Sequence, residues 1–224
     1  MLLTGYGLKQ WLTIVIVSLL LALAAAWFGA WWLVAVVAVV CLALLSFFRD
    51  PLGRRPKSDA AADFISPADG TISAVFTVDA HQGTGGAPAL VVRIFLSVLN
   101  VHVNRAPCDC EVVEIVHTPG KYLDARTEES AQVNESNLIR LRTPTGHEFA
   151  VRQVSGAIAR RIVCPLKVGD RLKRGERFGM ITFGSTTELI LPRPDSSSSL
   201  VAKGDVVVGG VTVLARGAWA ATGR

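Results

Sequence analysis

The chain has 224 residues, a formal net charge of +5, hydrophobic side chains at half of its positions and four cysteines. That length suffices for a domain with a real core, and the basic excess carries no recognition motif and no interleaved surface aromatics, which argues against a nucleic-acid reader. The average hides two parts, because no charged residue occurs from Trp11 to Phe48 whereas charges recur every few positions from Arg49 onward.

This contrast predicts an N-terminal membrane segment over residues 1–50 and a separate domain over 51–224. The apolar run is nearly twice the roughly 20 residues that one membrane span needs, and it is interrupted by Trp27-Phe28-Gly29-Ala30-Trp31-Trp32. Gly29 can turn the chain and the aromatic rings favour the headgroup level. The reading is therefore a transmembrane or membrane-embedded α-helical hairpin, residues 11–26 and 31–48, with one long tilted helix as the alternative. A cleaved signal peptide fits less well, since the run far exceeds a signal core of about 7–15 residues. Lys9 precedes the hairpin and Arg49, Arg54, Arg55 and Lys57 follow it. The positive-inside tendency then puts both ends, and the domain, on the cytoplasmic side of the cell membrane. Each cation near an anionic membrane surface adds about 1 kcal/mol of attraction.

Between residues 60 and 215, short Val- and Ile-rich runs alternate with Gly, Pro and Asp, which predicts a mainly β domain. Strands are expected at 70–78, 89–96, 111–116, 137–142, 148–154 and 187–191, a helical turn at 157–162 and a flexible loop at 196–199. In the last third, Pro165-Leu166-Lys167-Val168-Gly169-Asp170 is echoed by Leu200-Val201-Ala202-Lys203-Gly204-Asp205. Such Gly-Asp turns suit a pseudo-symmetric barrel-sandwich or hammerhead-like fold. Cys41, Cys108, Cys110 and Cys164 have no regular metal spacing and read as reduced thiols; no metal is expected.

The segment Phe183-Gly184-Ser185-Thr186-Thr187-Glu188-Leu189-Ile190-Leu191-Pro192 places a Gly-Ser step between two strands. Taken alone, such a step is an ordinary turn. In company with Phe48-Arg49-Asp50-Pro51, Ser66-Pro67-Ala68-Asp69-Gly70, Phe95-Leu96-Ser97, Asn100-Val101-His102-Val103-Asn104-Arg105-Ala106-Pro107, Gly120-Lys121-Tyr122 and Asn134-Glu135, it resembles the processing site of the short phosphatidylserine decarboxylase proenzymes. The resemblance implies that Ser185 attacks the Gly184 carbonyl, that the chain parts into a β chain 1–184 and an α chain 185–224, and that residue 185 becomes a pyruvoyl group. It implies a heterodimer of these two products, the number of heterodimers per assembly being open. A carbonyl of this kind forms a Schiff base with the substrate amine and takes up the electrons left by carbon dioxide. Phosphatidylserine would thereby become phosphatidylethanolamine without pyridoxal phosphate.

By the same resemblance Asp69 is the acidic member of the self-cleavage site, orienting an imidazole, where its own surroundings suggest only an Asp-Gly turn. His102 is carried over as the proton donor or acceptor at the substrate carbon. Longer relatives have a second histidine where this chain has Arg105, which leaves His102 or His117 as the base for processing. The Arg105 fork suits the substrate carboxylate or phosphate, a surface ion pair being the alternative. His81 and His147 read as exposed turn residues, and the basic stretch from Lys167 to Arg177 as a solvated face. Two other classes compete: a carrier of the biotinyl kind, which lacks its lysine at the turn, and a serine hydrolase using Ser185, His102 and Asp69, which lacks the strand-to-helix elbow.

Overall fold

The computed structural model describes residues 2–157, 161–182, 184–192 and 197–217, and the chain divides into two units, Met1–Leu52 and Gly53–Arg224. In the first, β1 (Leu2–Leu3) pairs antiparallel with β2 (Arg49–Asp50), and between them run α1 (Leu8–Trp27) and α2 (Trp31–Phe47). The turn falls at Gly29, whose φ of 70° lies in the left-handed region that glycine adopts freely. Helix α1 starts a turn earlier than expected, following a 3-10 turn at Gly5–Gly7 whose Tyr6 N–H is accepted by the Thr4 hydroxyl. The span Gly5–Trp27 is long and apolar enough to cross a bilayer, and Trp31–Phe47 is a shorter apolar helix.

The second unit is mainly β. Its strands are β3 (Asp63–Ile65), β4 (Gly70–Val78), β5 (Ala89–Leu96), β6 (Val103–Arg105), β7 (Cys110–Thr118), β8 (Ser136–Arg142), β9 (Glu148–Val154), β10 (Ile162–Val163), β11 (Arg171–Leu172), β12 (Arg177–Ile181), β13 (Ser185–Pro192), β14 (Ser197–Ser199), β15 (Val206–Val207) and β16 (Val213–Gly217). A central antiparallel sheet has the order β11-β7-β8-β9-β13-β5-β4-β15, flanked by two three-stranded sheets, β10-β12-β6 and β14-β16-β3.

These orders read the same from both ends. A pseudo-twofold relation exchanges β9 with β13, β8 with β5, β7 with β4 and β11 with β15. The repeated Gly-Asp phrase is its visible trace. Asp170 accepts the Lys167 N–H, and Asp205 accepts the Ala202 N–H, each at 2.8 Å. The Gly169 N–H then donates to the Val112 carbonyl just as the Gly204 N–H donates to that of Ile72, both at 2.9 Å. Each docked strand bulges immediately after the contact, between Val112 and Glu114 and between Ile72 and Ala74. The core between the sheets holds Phe64, Ile72, Ile94, Leu141, Phe149, Phe178 and Leu189, with Phe64 and Phe149 edge to face at 5.0 Å.

Three local expectations need correction. Residues 197–199 form β14, paired with β16, so the serine run is a strand: serine hydroxyls leave the backbone free to pair, and two of them bond to nearby carbonyls. Ile162 belongs to β10 rather than to a helical turn, while residues 158–160 lie outside the described residues. A helix, α3 (Glu128–Val133), was not expected; Thr127 caps it and Glu128 and Glu129 occupy its first turn, where carboxylates favour the helix dipole.

The described residues after 184 contribute strands to two of the unit's three sheets. Strand β13 lies between β5 and β9, β15 pairs with β4, and β16 with β3. Asp63 on β3 and Arg216 on β16 add a two-point ion pair, Arg216 Nε to Asp63 Oδ1 at 2.6 Å and Nη2 to Oδ2 at 3.1 Å. The Arg216 guanidinium holds the Asp63 carboxyl below its ordinary range, opposed by burial and helped by the Ser58 hydroxyl. A depressed folded-state value contributes stability that is present above about pH 3.9 and is lost as pH falls through it. Arg216→Met should therefore lower stability only modestly near neutral pH, because solvent screens a side chain that is 56% exposed. The gap from wild type in denaturant unfolding should close below about pH 3.9.

Candidate active site

Ser185 is the first residue of β13, opposite Leu96 of β5. It is fully buried, and its Oγ has no hydrogen-bond partner among the described residues. A buried hydroxyl without a partner costs roughly 1–3 kcal/mol, so Ser185 is a poor choice for a purely structural strand residue. Gly184 precedes it with φ of 63° and nothing within 4 Å of where a side chain would begin. The Gly184 carbonyl is enclosed: a Cβ on Gly156, which follows β9, would lie 2.2 Å from that oxygen and 3.1 Å from the Ala125 Cβ. Only a residue without a side chain lets the 155–157 segment approach so closely.

His102 reaches the same place from the other side. It is fully buried, with Nδ1 2.9 Å from the Asn100 carbonyl and Nε2 3.3 Å from the Gly184 amide nitrogen. A carbonyl can only accept and an amide N–H can only donate, so Nδ1 carries the proton and Nε2 is the acceptor. The imidazole is thus a neutral ring whose reactive nitrogen is capped by the residue that precedes Ser185.

Behind Ser185 runs a chain of buried amides. Asn104 Nδ2 donates to the Thr187 hydroxyl at 3.1 Å and to the Pro67 carbonyl at 3.3 Å; Gln153 Nε2 donates to Asn104 Oδ1 at 2.8 Å; Asn137 Nδ2 donates to Gln153 Oε1 at 3.1 Å. This chain ties β13 to β6, β9 and β8 two residues from the serine. Glu188, also buried, is held by Arg93 on β5 at 2.8 Å and faces Arg152 on β9 at 3.4 Å; Arg93 reaches on to Glu128 of α3 at 2.8 Å. The segment before α3 folds over the site, where the Thr186 hydroxyl donates to the Ala125 carbonyl at 3.3 Å.

The other expected residues are placed differently. The carboxylate of Asp69 is gripped by both terminal nitrogens of Arg54, the second at 2.8 Å, and accepts the Gly209 N–H at 2.8 Å. Among the described residues no histidine bonds to it. Its counterpart in the other half of the fold, Asp109, accepts the Arg174 N–H at 2.8 Å in the same way, so the carboxylate-to-backbone bond belongs to the fold. Asp109 also meets Lys173 Nζ at 3.0 Å, where Asp69 meets the two-point fork of Arg54. Thr71, two residues beyond Asp69, is two strands from Thr186 through Phe95, roughly 10 Å at normal strand spacing.

His117 donates to or accepts from Glu135 across 2.9 Å at the surface. Its register runs through Asn137 and Gln153 to Thr187, three strands away, roughly 14 Å. It does not approach Ser185. Arg105 is buried rather than at the surface, and its Nη1 donates to the Gly175 carbonyl at 3.0 Å. His81 and His147 sit in turns and are partly buried rather than exposed, His81 capping the turn at Gln82–Thr84. All four cysteines are free thiols.

Asn100, Gly156 and Arg54 are the functional neighbours that the sequence reading missed. Asn100 lies within a motif already noticed, and a glycine two residues past the end of a predicted strand, as at 156, marks a place where backbone can approach backbone.

The model of the phosphatidylserine decarboxylase family matches residues 42–215. A phosphatidylserine decarboxylase proenzyme of Rhodopirellula baltica is 43% identical over 213 residues, covering 94% of this chain and 86% of that protein. Proteins of the same name from Symbiobacterium thermophilum and Pelobacter propionicus are each 46% identical, over 201 and 182 residues, covering 89% and 81% of this chain and 91% and 80% of theirs.

Proposed function

The chain belongs to the phosphatidylserine decarboxylase family, and from that membership and the geometry at Ser185 we propose that it converts phosphatidylserine to phosphatidylethanolamine, using a pyruvoyl group that it makes from Ser185. The observation that carries the reading is the buried, unpartnered Ser185 Oγ next to a glycine whose amide is held by His102. A hydrolase needs its serine open to substrate and bonded to the base; this one is neither, and its first reachable electrophile is its own chain.

In the proposed self-cleavage, Ser185 Oγ adds to the Gly184 carbonyl carbon, the peptide C–N bond breaks, and the hydroxyl proton passes to the freed nitrogen of residue 185, leaving an ester. Loss of the Cα proton of residue 185 then expels the Gly184 carboxylate from Cβ. Water adds to the resulting dehydroalanine and ammonia leaves. Gly156 sets the angle of the carbonyl under attack, and the amide chain from Thr187 to Asn137 holds β13 in register while the bond breaks. Asp69 is engaged by Arg54 in the uncut chain, so the imidazole-orienting role that the resemblance implies for it requires that pair to open. A pyruvoyl carbonyl at residue 185 supplies the electron sink that amino-acid decarboxylation needs. Once the bond to residue 185 is cut, movement of Gly184 can release its N–H from His102 Nε2, so that this buried imidazole can hold or deliver a proton beside residue 185. Arg105 is proposed to meet the anionic substrate, although its terminal nitrogen at Gly175 would have to exchange partners.

The hairpin is proposed to keep the enzyme at the cell membrane with the β unit on the cytoplasmic face, where the lipid headgroup is concentrated. The two products, 1–184 and 185–224, stay together as a heterodimer through β13, β15 and β16. Intact-mass spectrometry of wild type beside Ser185→Ala tests the reading. Two chains split between Gly184 and Ser185, the smaller beginning with a pyruvoyl group, and one uncut mutant chain are the expected result. A single wild-type chain with an unmodified Ser185, from a preparation able to turn over no phosphatidylserine, would overturn it.

A further inference from the structure

The turn that connects β5 to β6 is built with unusual firmness and yet exposes two apolar side chains. Asn100 Oδ1 accepts from both the Ser97 N–H, at 2.9 Å, and the Ser97 hydroxyl, at 2.8 Å, and the Asn100 N–H donates to the Ser97 carbonyl at 2.9 Å. At its tip, Val98 is 45% exposed and Leu99 is 79% exposed. A floppy loop could fold such residues back on the protein; a four-residue turn closed by three hydrogen bonds cannot. Both bases of this turn are wired to the site: Leu96 is the strand partner of Ser185, and the Asn100 carbonyl fixes the His102 ring.

Tyr122, 41% exposed, is on the segment held by Asn134 through Leu123, and Arg161 is exposed, its carbonyl accepting from Thr182 two residues before Gly184. Exposed aliphatic side chains on a rigid tip are the groups that reach the acyl boundary of a lipid surface, and exposed aromatic rings favour headgroup level.

Resting on the activity proposed above, we infer that Val98 and Leu99 form a wedge that dips into the lipid surface and seats the catalytic centre at headgroup depth, a second membrane contact separate from the helical hairpin. The partner is an anionic bilayer. Its apolar interior takes the aliphatic tip, and its serine headgroup has to reach residue 185 without leaving the membrane.

The test compares the full chain with Val98→Ser/Leu99→Ser and with Leu99→Phe on two substrates: short-chain phosphatidylserine in free solution, and phosphatidylserine within phosphatidylcholine vesicles. The double variant should process into two chains and turn over the soluble lipid at the wild-type rate. On vesicles it should fall about tenfold, as expected for two exposed apolar side chains that no longer enter an apolar phase, while Leu99→Phe keeps the vesicle rate. An equal fall on both substrates would mean that the turn shapes the catalytic centre, and an undiminished vesicle rate would mean that the tip meets no membrane; either overturns the inference. Failure of wild type on both substrates would instead strike at the decarboxylase reading.

Discussion

Replacing Gly156 with alanine is expected to slow the break between Gly184 and Ser185 by about a hundredfold or more, because the new methyl group would stand 2.2 Å from the carbonyl oxygen under attack. The oxygen belongs to backbone rather than to a flexible side chain, and Ala125 closes the far side, so either β9 or the Gly184 peptide must shift. A displacement of about 1 Å is enough to cost that factor in a reaction that depends on the approach of one fixed atom to another. The informative contrast is Gly184→Ala. That position has open space around it, and only its positive φ opposes a side chain, at a cost of about 1–2 kcal/mol. The substitution at the cut itself should therefore slow processing less, by about tenfold, than the one 28 positions away in sequence. A time course of chain separation after synthesis, read by mass spectrometry, gives both rates. Thermal unfolding of each alanine variant in a Ser185→Ala background, where nothing is cut, shows whether the fold survives. Processing of Gly156→Ala at the wild-type rate would remove Gly156 from the mechanism.

The sequence reads well where one residue or one period determines the outcome. Strands β4, β5 and β9 fall at the predicted residues because alternation and bounding turns specify them locally. The Gly-Asp echo led to the pseudo-twofold relation because the same turn must dock on the same bulge in both halves. Strand order is another matter. His117 looked like a candidate because it precedes Gly120-Lys121 in sequence, yet the order β7-β8-β9-β13 inserts two strands between it and the serine. No periodicity encodes that order. Asp69 failed to declare its partner for a related reason: an Asp-Gly turn has the same spelling whether its carboxylate faces an imidazole or, as here, a guanidinium contributed from residue 54. The serine strand β14 misled because composition reports what side chains prefer, whereas a strand at the edge of a small sheet is held by its backbone.

His102→Gln should separate the two reactions that the family name joins. In the uncut chain the ring accepts the Gly184 N–H at Nε2 while Nδ1–H is committed to Asn100. A glutamine side chain can offer an amide oxygen to the same N–H, so the scissile segment stays in place and cleavage into 1–184 and 185–224 proceeds within about tenfold of wild type. An amide acts as neither an acid nor a base near neutral pH, however. If His102 delivers the proton to the carbon that has lost carbon dioxide, turnover of phosphatidylserine by the fully cleaved glutamine variant falls by about 10²–10⁴, the usual worth of a positioned acid or base. His102→Ala, lacking the acceptor as well, should be slower in both steps. The measurement is the ratio of lipid turnover to the amount of cleaved chain, followed in one preparation. A glutamine variant that cleaves and decarboxylates at full rate would limit His102 to holding Gly184. One that fails to cleave, while keeping wild-type thermal stability, would make the imidazole the base for processing too. That outcome would also explain how a chain with Arg105 in place of a second histidine manages both steps with the single ring that reaches Gly184 among the described residues.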